Sequence, residues 1–266
     1  MIREDNALQV SQINVGKRLD CHDLALQGAA ERQAGVVCVQ EPWVLWDWKT
    51  TRTHPQYDLA LPLVTGSRLL VVTYVRRDLK ATVVKVDDPK VVVVEVRGVK
   101  IWNVYRPPGC ENWEWPRIGR TPTLVVGDFN LQHPAWQLGS TASEVATELE
   151  DWREKADLRH LVQDRPTHDK GNTLDLSLVS SSRDALAWVE ESSSTGSDHF
   201  VVTTLVKRPV IRGKTDRVGL VVLPRRYNEW VELVNKLLSV PFPFEGTKDG
   251  VERSCEDLNE CFKVAI

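Results

Sequence analysis

Residues 124–130 read Leu-Val-Val-Gly-Asp-Phe-Asn, a short apolar run closed by a glycine, with an acid and an amide two residues apart. Bounded by Pro122 and Gly127, the run has the character of a buried strand. Alternate side chains of an extended chain share a face, so Asp128 and Asn130 should point the same way at its end. A carboxylate beside an amide can hold a cation or a water and can donate to an oxyanion. Taken alone, a strand followed by an ordinary Asp/Asn turn is the simpler reading. The constraint on the fold comes from recurrence, because other apolar runs end in polar residues too.

Residues 8–15 alternate as a strand and carry Asn14 at the end, where a turn role beside Gly16 stays open. Residues 36–39 are continuously apolar and close on Gln40, Glu41 and Pro42. A strand buried on both faces that ends in a carboxylate needs a partner for it. Pro42 leaves the ladder, which places Glu41 at the sheet's rim. Residues 69–75 and 91–96 are β-branched strands, and 76–80 and 87–90 are polar turns. Residues 99–105 form a strand with Ile101, Trp102 and Val104 distributed over its two faces, ending at Tyr105 before Arg-Pro-Pro-Gly. In residues 173–179 alternation puts Leu174, Leu176 and Leu178 on one face and Asp175 and Ser177 on the other. Asp175 in so apolar a strand needs a partner, and a nearby histidine is the natural candidate. A flexible loop over 192–196 precedes Ser197, Asp198 and His199, which lead into a strand over 201–206. A surface Asp-His turn explains that last trio as readily as metal or general-base chemistry does.

Two helices are expected between the strands. Leu24, Ala25, Gly28 and Ala29 recur at helical spacing over 19–34, with Gly35 as the stop. Ser143 caps a second helix over 143–156, with Val145, Leu149 and Trp152 on one face. Trp43, Trp46 and Trp48, and Trp113 and Trp115, read either as core or as a wall on which bases stack.

The bulk numbers admit this organisation. With 266 residues, 42% of them hydrophobic, the chain can bury one large core or two modest ones. Its five cysteines are odd in number, scattered and without a C-x-x-C pair, which argues for free thiols in a reducing compartment rather than a disulfide or zinc framework. No apolar signal core and no membrane-length run occurs, so a soluble intracellular protein is expected. The net charge of −3 is unevenly spread: residues 207–226 hold seven Lys/Arg against Asp216 alone. The remainder is acidic, as expected where carboxylates are kept for a metal. The domain reading is a strand-rich unit over 1–206, a basic linker over 207–226, and a helical extension over 227–266 that looks cut from something longer.

Six short motifs fall in one order: Asn14 after a first strand, Gln40-Glu41-Pro42, Asn103-Val104-Tyr105, Gly127-Asp128-Phe129-Asn130, Thr173-Leu174-Asp175 and Ser197-Asp198-His199. The series resembles the endonuclease/exonuclease/phosphatase (DNase I-like) family over about residues 8–206. Within it the chain is most similar to the endonuclease domain of non-LTR retrotransposons. That likeness rests on Gln-Glu-Pro-Trp, Val-Tyr-Arg-Pro-Pro, His133-Pro134-x-Trp136 after the Gly-Asp-Phe-Asn, and Arg-Pro-Thr before Asp175.

The resemblance implies a four-layer α/β sandwich, two packed β-sheets flanked by helices, with the site at one edge and a short helical C-terminal extension. It implies phosphodiester hydrolysis with a divalent cation. Mg²⁺ suits the oxygen donors on offer, with Mn²⁺ as a substitute. Glu41 would be the principal metal ligand with Asn14 beside it, and Asp198 a second metal or water contact. Asp128 would orient and deprotonate the attacking water, and Asn130 would donate to the phosphate. His199 would donate to the scissile phosphate, its ring fixed by Asp175. Tyr105 would hydrogen-bond the phosphate, with Thr167 and Ser197 in support. The implied partners are double-stranded DNA and, in a full-length protein, a reverse transcriptase domain, with no membrane; the implied place of action is the nucleus. Nicking one strand would leave a 3′-hydroxyl that primes reverse transcription. The alternatives are a phosphatase of the same family acting on a small phosphate, and a catalytically silent nucleic-acid-binding module using the tryptophans and the basic arm. Loops 43–48 and 111–120 and the segment 179–196 are the candidates for choosing a target.

Overall fold

The computed structural model describes residues 7–207 apart from 48, 64–67, 112, 120, 182 and 191–194. The chain divides into two compact units, Met1–Val210 and Ile211–Ile266. The expected basic linker and helical extension lie outside the described residues, apart from Lys207.

In chain order the elements are β1 (Ala7–Asn14), α1 (Leu19–Glu31), β2 (Val36–Gln40), β3 (Tyr57–Ala60), β4 (Val71–Arg76), β5 (Ala81–Val84), β6 (Val91–Val96) and β7 (Val99–Tyr105). Then follow β8 (Thr123–Asp128), α2 (Glu144–Lys155), β9 (Leu158–His160), β10 (Asp175–Ser180), β11 (Ala185–Glu190) and β12 (Val201–Lys207). They build two six-stranded sheets, ordered β11-β12-β1-β2-β4-β3 and β5-β6-β7-β8-β10-β9. Each sheet has one parallel pair, β1 with β2 and β7 with β8, among antiparallel neighbours. With α1 against the first sheet and α2 against the second, the architecture is the expected four-layer α/β sandwich.

Strand alternation sorts the side chains into three cores. Leu8, Val10, Val36, Cys38, Val99, Ile101, Leu124 and Val126 meet between the sheets. Cys21, Ala25, Leu26 and Ala29 of α1 cover Val37, Val39, Val72 and Tyr74. Ala146 and Leu149 of α2 cover Val125, Leu176 and Leu178. Along the strands that face the other sheet, the buried residues change character toward one edge. Leu8 and Val10 give way to Gln12 and Asn14, Val36 and Cys38 to Gln40, Ile101 to Asn103 and Tyr105, and Val126 to Asp128. The polar end pays for its burial in hydrogen bonds across the sheets. Gln12 Nε2 donates to the Leu176 carbonyl at 3.1 Å, and Gln40 Nε2 to Asn103 Oδ1 at 2.7 Å. Asn103 Nδ2 donates to the Val72 carbonyl at 2.9 Å.

Gly127 is obligatory here. At φ +149° an added Cβ would stand 1.8 Å from the Val104 carbonyl oxygen of the neighbouring strand. Gly35 has another reason than the expected helix stop. Helix α1 ends at Glu31, and the left-handed residue after it is Gln33 (φ 56°). A Cβ on Gly35 would meet Leu8 Cδ1 at 2.7 Å and Leu79 Cδ1 at 2.9 Å, so the glycine admits the core. Leu24 is 44% exposed, because the helix turns Cys21 and Leu26 inward instead. For α2 the expected cap forms, with Ser143 Oγ accepting from the Ala146 N–H at 3.2 Å. Segment 179–196, a candidate for choosing a target, contains β11, the edge of the first sheet. Among the described residues Cys21 and Cys38 are free thiols. No described helix is long and apolar enough to cross a membrane.

Candidate active site

The polar edge opens into a cleft of about 500 Å³. The loop or strand end after each central strand supplies it: Asn14 and Lys17 after β1, Glu41 after β2, Tyr105 ending β7, Asp128 and Asn130 at the end of β8. His168, Asp198 and His199 close the far side.

Asp128 is the buried centre. Its Oδ2 accepts from Asn14 Nδ2 at 2.9 Å and from Asn130 Nδ2 at 3.0 Å, and its Oδ1 from the Asn130 backbone N–H at 3.0 Å. Asn130 does not reach Asp128 by strand alternation. The strand ends at Asp128, and Asn130 turns left-handed (φ 49°), so an Asx turn closes the pair. Burial first, and then the neighbouring Asp175 charge, push the Asp128 carboxyl up to about 7 against the pull of His199.

Across the cleft, His199 Nδ1 meets Asp175 Oδ2 at 2.8 Å, and its Nε2 lies 3.9 Å from Asp128 Oδ2. Burial lowers the His199 pKa, but Asp175, then Asp128 and Asp198, outweigh it and lift the imidazole to about 9. Thr167 Oγ1 accepts from the backbone N–H groups of Leu174 (2.9 Å) and Asp175 (3.0 Å), fixing the start of β10. Ser197 Oγ donates to the Asn14 carbonyl at 2.6 Å and accepts from the His199 N–H at 3.2 Å, tying β1 to the histidine loop.

Glu41 sits at the rim, as its proline neighbour requires, in a left-handed conformation (φ 45°). Its Oε1 accepts from the Tyr105 hydroxyl at 2.7 Å and pairs with Lys17 Nζ, also at 2.7 Å. Burial, and then the Glu41 carboxylate, hold the Tyr105 phenol well above its ordinary pKa. Tyr105 joins the two groups, since it holds Glu41 and is the register partner of Asp128 on the neighbouring strand. Asn14 bridges toward Asp128, its Oδ1 accepting from the Gly16 N–H at 2.9 Å. Asp198 is more open, its carboxylate 3.5 Å from His168 Nε2.

Several cleft residues lie outside the sequence motifs' assigned roles. Lys17 is aimed by left-handed backbone (φ 62°) and by its N–H donating to the Glu41 carbonyl at 2.8 Å. Arg106 is buried behind the site, where its carbonyl accepts from Asn130 Nδ2 at 3.0 Å and its N–H donates to the Asp128 carbonyl at 2.9 Å. Its place in Tyr-Arg-Pro-Pro was the available signal. For His168, the sequence offered only adjacency to Thr167.

The tryptophans divide. Trp113 is buried, and Trp115 packs against Trp113, Phe129 and Trp152. Trp136 is fully buried, with the His133 ring stacked on it at 5.1 Å, so the His-Pro-x-Trp motif folds its own loop. Trp43 is half-buried beneath Arg52, whereas Trp46 is 82% exposed. Trp48 lies outside the described residues.

A family model for endonuclease-reverse transcriptase proteins matches residues 99–203, which span Tyr105, Asp128, Asn130, Asp175 and His199. No curated protein sequence matches the chain. Among solved structures, the endonuclease domain of TRAS1, a telomere-specific non-LTR retrotransposon, is similar at 20% identity with a TM-score of 0.61, over 76% of this chain and 99% of that one. The AP endonuclease LMAP from Leishmania major has 10% identity and a TM-score of 0.56, over 78% of this chain and 90% of its own. A 3′ phosphatase from Neisseria, solved with product DNA hairpin, has 17% identity and a TM-score of 0.52, over 74% and 98%.

Proposed function

We propose, from the endonuclease-reverse transcriptase family match over residues 99–203 and the fold shared with the TRAS1 domain, that the chain is a divalent-metal-dependent DNA endonuclease of the DNase I-like endonuclease/exonuclease/phosphatase family that nicks one strand of a duplex. The cut would leave a 3′-hydroxyl, the end from which a reverse transcriptase in the same full-length protein, acting on nuclear DNA, could prime. The likeness to the TRAS1 domain and the endonuclease-reverse transcriptase family match support this finer reading. The observation that carries it is the convergence on one cleft of a thrice-bonded buried carboxylate, Asp128, and a carboxylate-held imidazole, His199.

The donor set suits a hard cation. Glu41 offers a carboxylate to the cleft and Asn14 an amide oxygen, and the Lys17 ammonium on Glu41 Oε1 marks the spot as one that takes positive charge. Mg²⁺, with Mn²⁺ as substitute, would be held by Glu41 with Asn14 near, and it would neutralise charge on the phosphate oxygens.

The chain's own residues do the rest. Asp128, poised near neutrality with both oxygens fixed, orients the attacking water and takes its proton. Asn130 spends both side-chain N–H groups on Asp128 and the Arg106 carbonyl, which fixes the Asp128 carboxylate, and would donate to the phosphate by releasing one of them as charge grows there. The His199 imidazolium presents Nε2 to the same region, and Asp175 keeps the ring oriented and charged. Tyr105 keeps its proton, which it gives to Glu41 in a hydrogen bond, and would donate it to the phosphate if a bound cation took its place on that carboxylate. Thr167 and Ser197 position Asp175 and His199, and Asp198 gives a further water or cation contact.

Supercoiled plasmid with Mg²⁺, run beside EDTA, Glu41→Gln and His199→Ala, tests the reading. Expected are open circles that need metal and both side chains, and that a polymerase extends without prior phosphatase treatment. A folded wild-type protein that leaves plasmid intact yet releases phosphate from small monoesters would replace the nuclease with a phosphatase. Salt-sensitive DNA binding without any cleavage would leave a binding module.

A further inference from the structure

His168 has no part in the chemistry above, yet it is built into the cleft wall. An isolated antiparallel bridge joins its backbone to that of His199, and the two rings meet edge to face with centroids 4.7 Å apart. The two Nδ1 atoms are engaged differently. His199 Nδ1 meets Asp175 Oδ2 at 2.8 Å, whereas His168 Nδ1 accepts from the Lys170 backbone N–H at 3.1 Å, with Asp169 Oδ1 3.0 Å away. A metal on Nε2 would displace the proton each ring carries there; on His168 a proton would move to Nδ1, where Asp169 can hold it, the arrangement that orients metal-bound histidines. His168 Nε2 is 3.5 Å from Asp198 Oδ2, and one ligand atom from each of His168, Asp198 and His199 lies within 4.8 Å of the others.

Two imidazoles and one carboxylate are the wrong donors for Mg²⁺, which prefers oxygen and keeps its waters. They suit Zn²⁺, whose ligands sit about 2.0–2.2 Å from the metal in a tetrahedron with one place for water. We propose that His168, Asp198 and His199 form a Zn²⁺ site, separate from the Glu41 cation position, and that zinc there switches the nuclease off. The switch rests on the nuclease reading: zinc on His199 Nε2 occupies the atom that would otherwise donate to the phosphate. The zinc site itself does not depend on that reading.

Binding is measured on the metal-free full-length chain by Zn²⁺ titration against a chromogenic chelator, with Co²⁺ as a spectroscopic probe of tetrahedral coordination. Wild-type protein should take up about one Zn²⁺ that millimolar Mg²⁺ does not displace. His168→Asn should weaken it at least ~10-fold and abolish the tetrahedral Co²⁺ absorption. Asp169→Asn removes only the carboxylate behind His168 and should cost about 10-fold in affinity. Zinc uptake that is absent, or unchanged in His168→Asn, overturns the site, because the ion then sits elsewhere.

The switch is read in the plasmid assay with Mg²⁺. Zinc should inhibit wild type at the concentration that fills the site. Asp169→Asn should nick normally and need about 10-fold more zinc. Equal inhibition of both proteins would overturn the switch. If wild type binds zinc through His168 but never nicks, the site stands and the nuclease reading falls.

Discussion

Asp128 and Asp175 are register partners on neighbouring antiparallel strands, both fully buried, with the His199 imidazole against both. Like charges directly opposite on a sheet repel. A proton on His199 lets both acids sit there, so the histidine holds the site together as well as serving its chemistry. Its pKa of about 9 exceeds the ordinary 6.5. Its stabilisation is therefore fully present below about pH 6.5 and is lost as pH rises through 9.

Asp175→Asn removes the largest of the effects that raise the His199 pKa. The ring's titration, followed by NMR on metal-free protein, should move from about 9 toward or below 6.5. Nicking at neutral pH should fall on the order of 10²-fold, because the imidazolium is no longer held. A ring that still titrates near 9 in Asp175→Asn would sink this account of His199.

Lys17 and Glu41 make a half-exposed ion pair at 2.7 Å where a metal would bind, so ammonium and cation compete for one carboxylate. Lys17→Met should lower the Mn²⁺ concentration for half-saturation about 2- to 5-fold, the worth of such a pair. Paramagnetic relaxation or calorimetry reads this without any turnover. Weaker metal binding in Lys17→Met would instead make Lys17 a support of the site.

Much of this was legible in the strands that face the opposite sheet. Val36 and Cys38 lead to Gln40, and Val126 to Asp128, because inward positions must be apolar in the core and hydrogen-bonded at its polar edge. The four strands the sequence did not single out, β3, β5, β9 and β11, are the four edges of the two sheets. An edge strand is short and partly solvated, so its alternation is weak; Ala81–Val84 is almost wholly exposed or half-buried. Lys17 and His168 escaped notice for another reason. Their places depend on left-handed backbone at Lys17 and Glu41 and on a single bridge at His168, and neither leaves a periodic trace.

Trp46 projects from a loop made rigid for its size. The Leu45 N–H donates to the Thr50 carbonyl at 2.8 Å, and Asp47 Oδ1 accepts from the N–H groups of Lys49 (2.9 Å) and Thr50 (2.8 Å). An indole 82% exposed on a fixed turn just after Glu41 is placed to stack on a base or sugar. Base stacking is worth about 1–3 kcal/mol. Trp46→Ala should raise the KM for duplex DNA on the order of 10-fold and leave hydrolysis of a small phosphodiester unchanged. An equal loss on both substrates would make Trp46 a structural residue.

His22 gives the fold an acid limit independent of the cleft. It is fully buried on the inner face of α1, with its Nε2 3.0 Å from the Tyr74 hydroxyl. That hydroxyl donates to the Arg52 carbonyl at 2.7 Å, so it accepts from the imidazole. Nδ1 has no hydrogen-bond partner, and a second proton would be buried there unpaired. Burial lowers the pKa from 6.5 to about 4. The unfolded chain therefore binds the proton more readily, and stability falls as pH drops from about 6.5 to 4, by about 3 kcal/mol over the window. Asp128 acts in the opposite sense, since its raised pKa favours the fold as pH drops below 7. The difference between wild type and His22→Gln in urea isolates the histidine: His22→Gln should gain on wild type steadily between pH 6.5 and 4. Parallel pH profiles for the two proteins would mean that the buried ring is protonated in the native state.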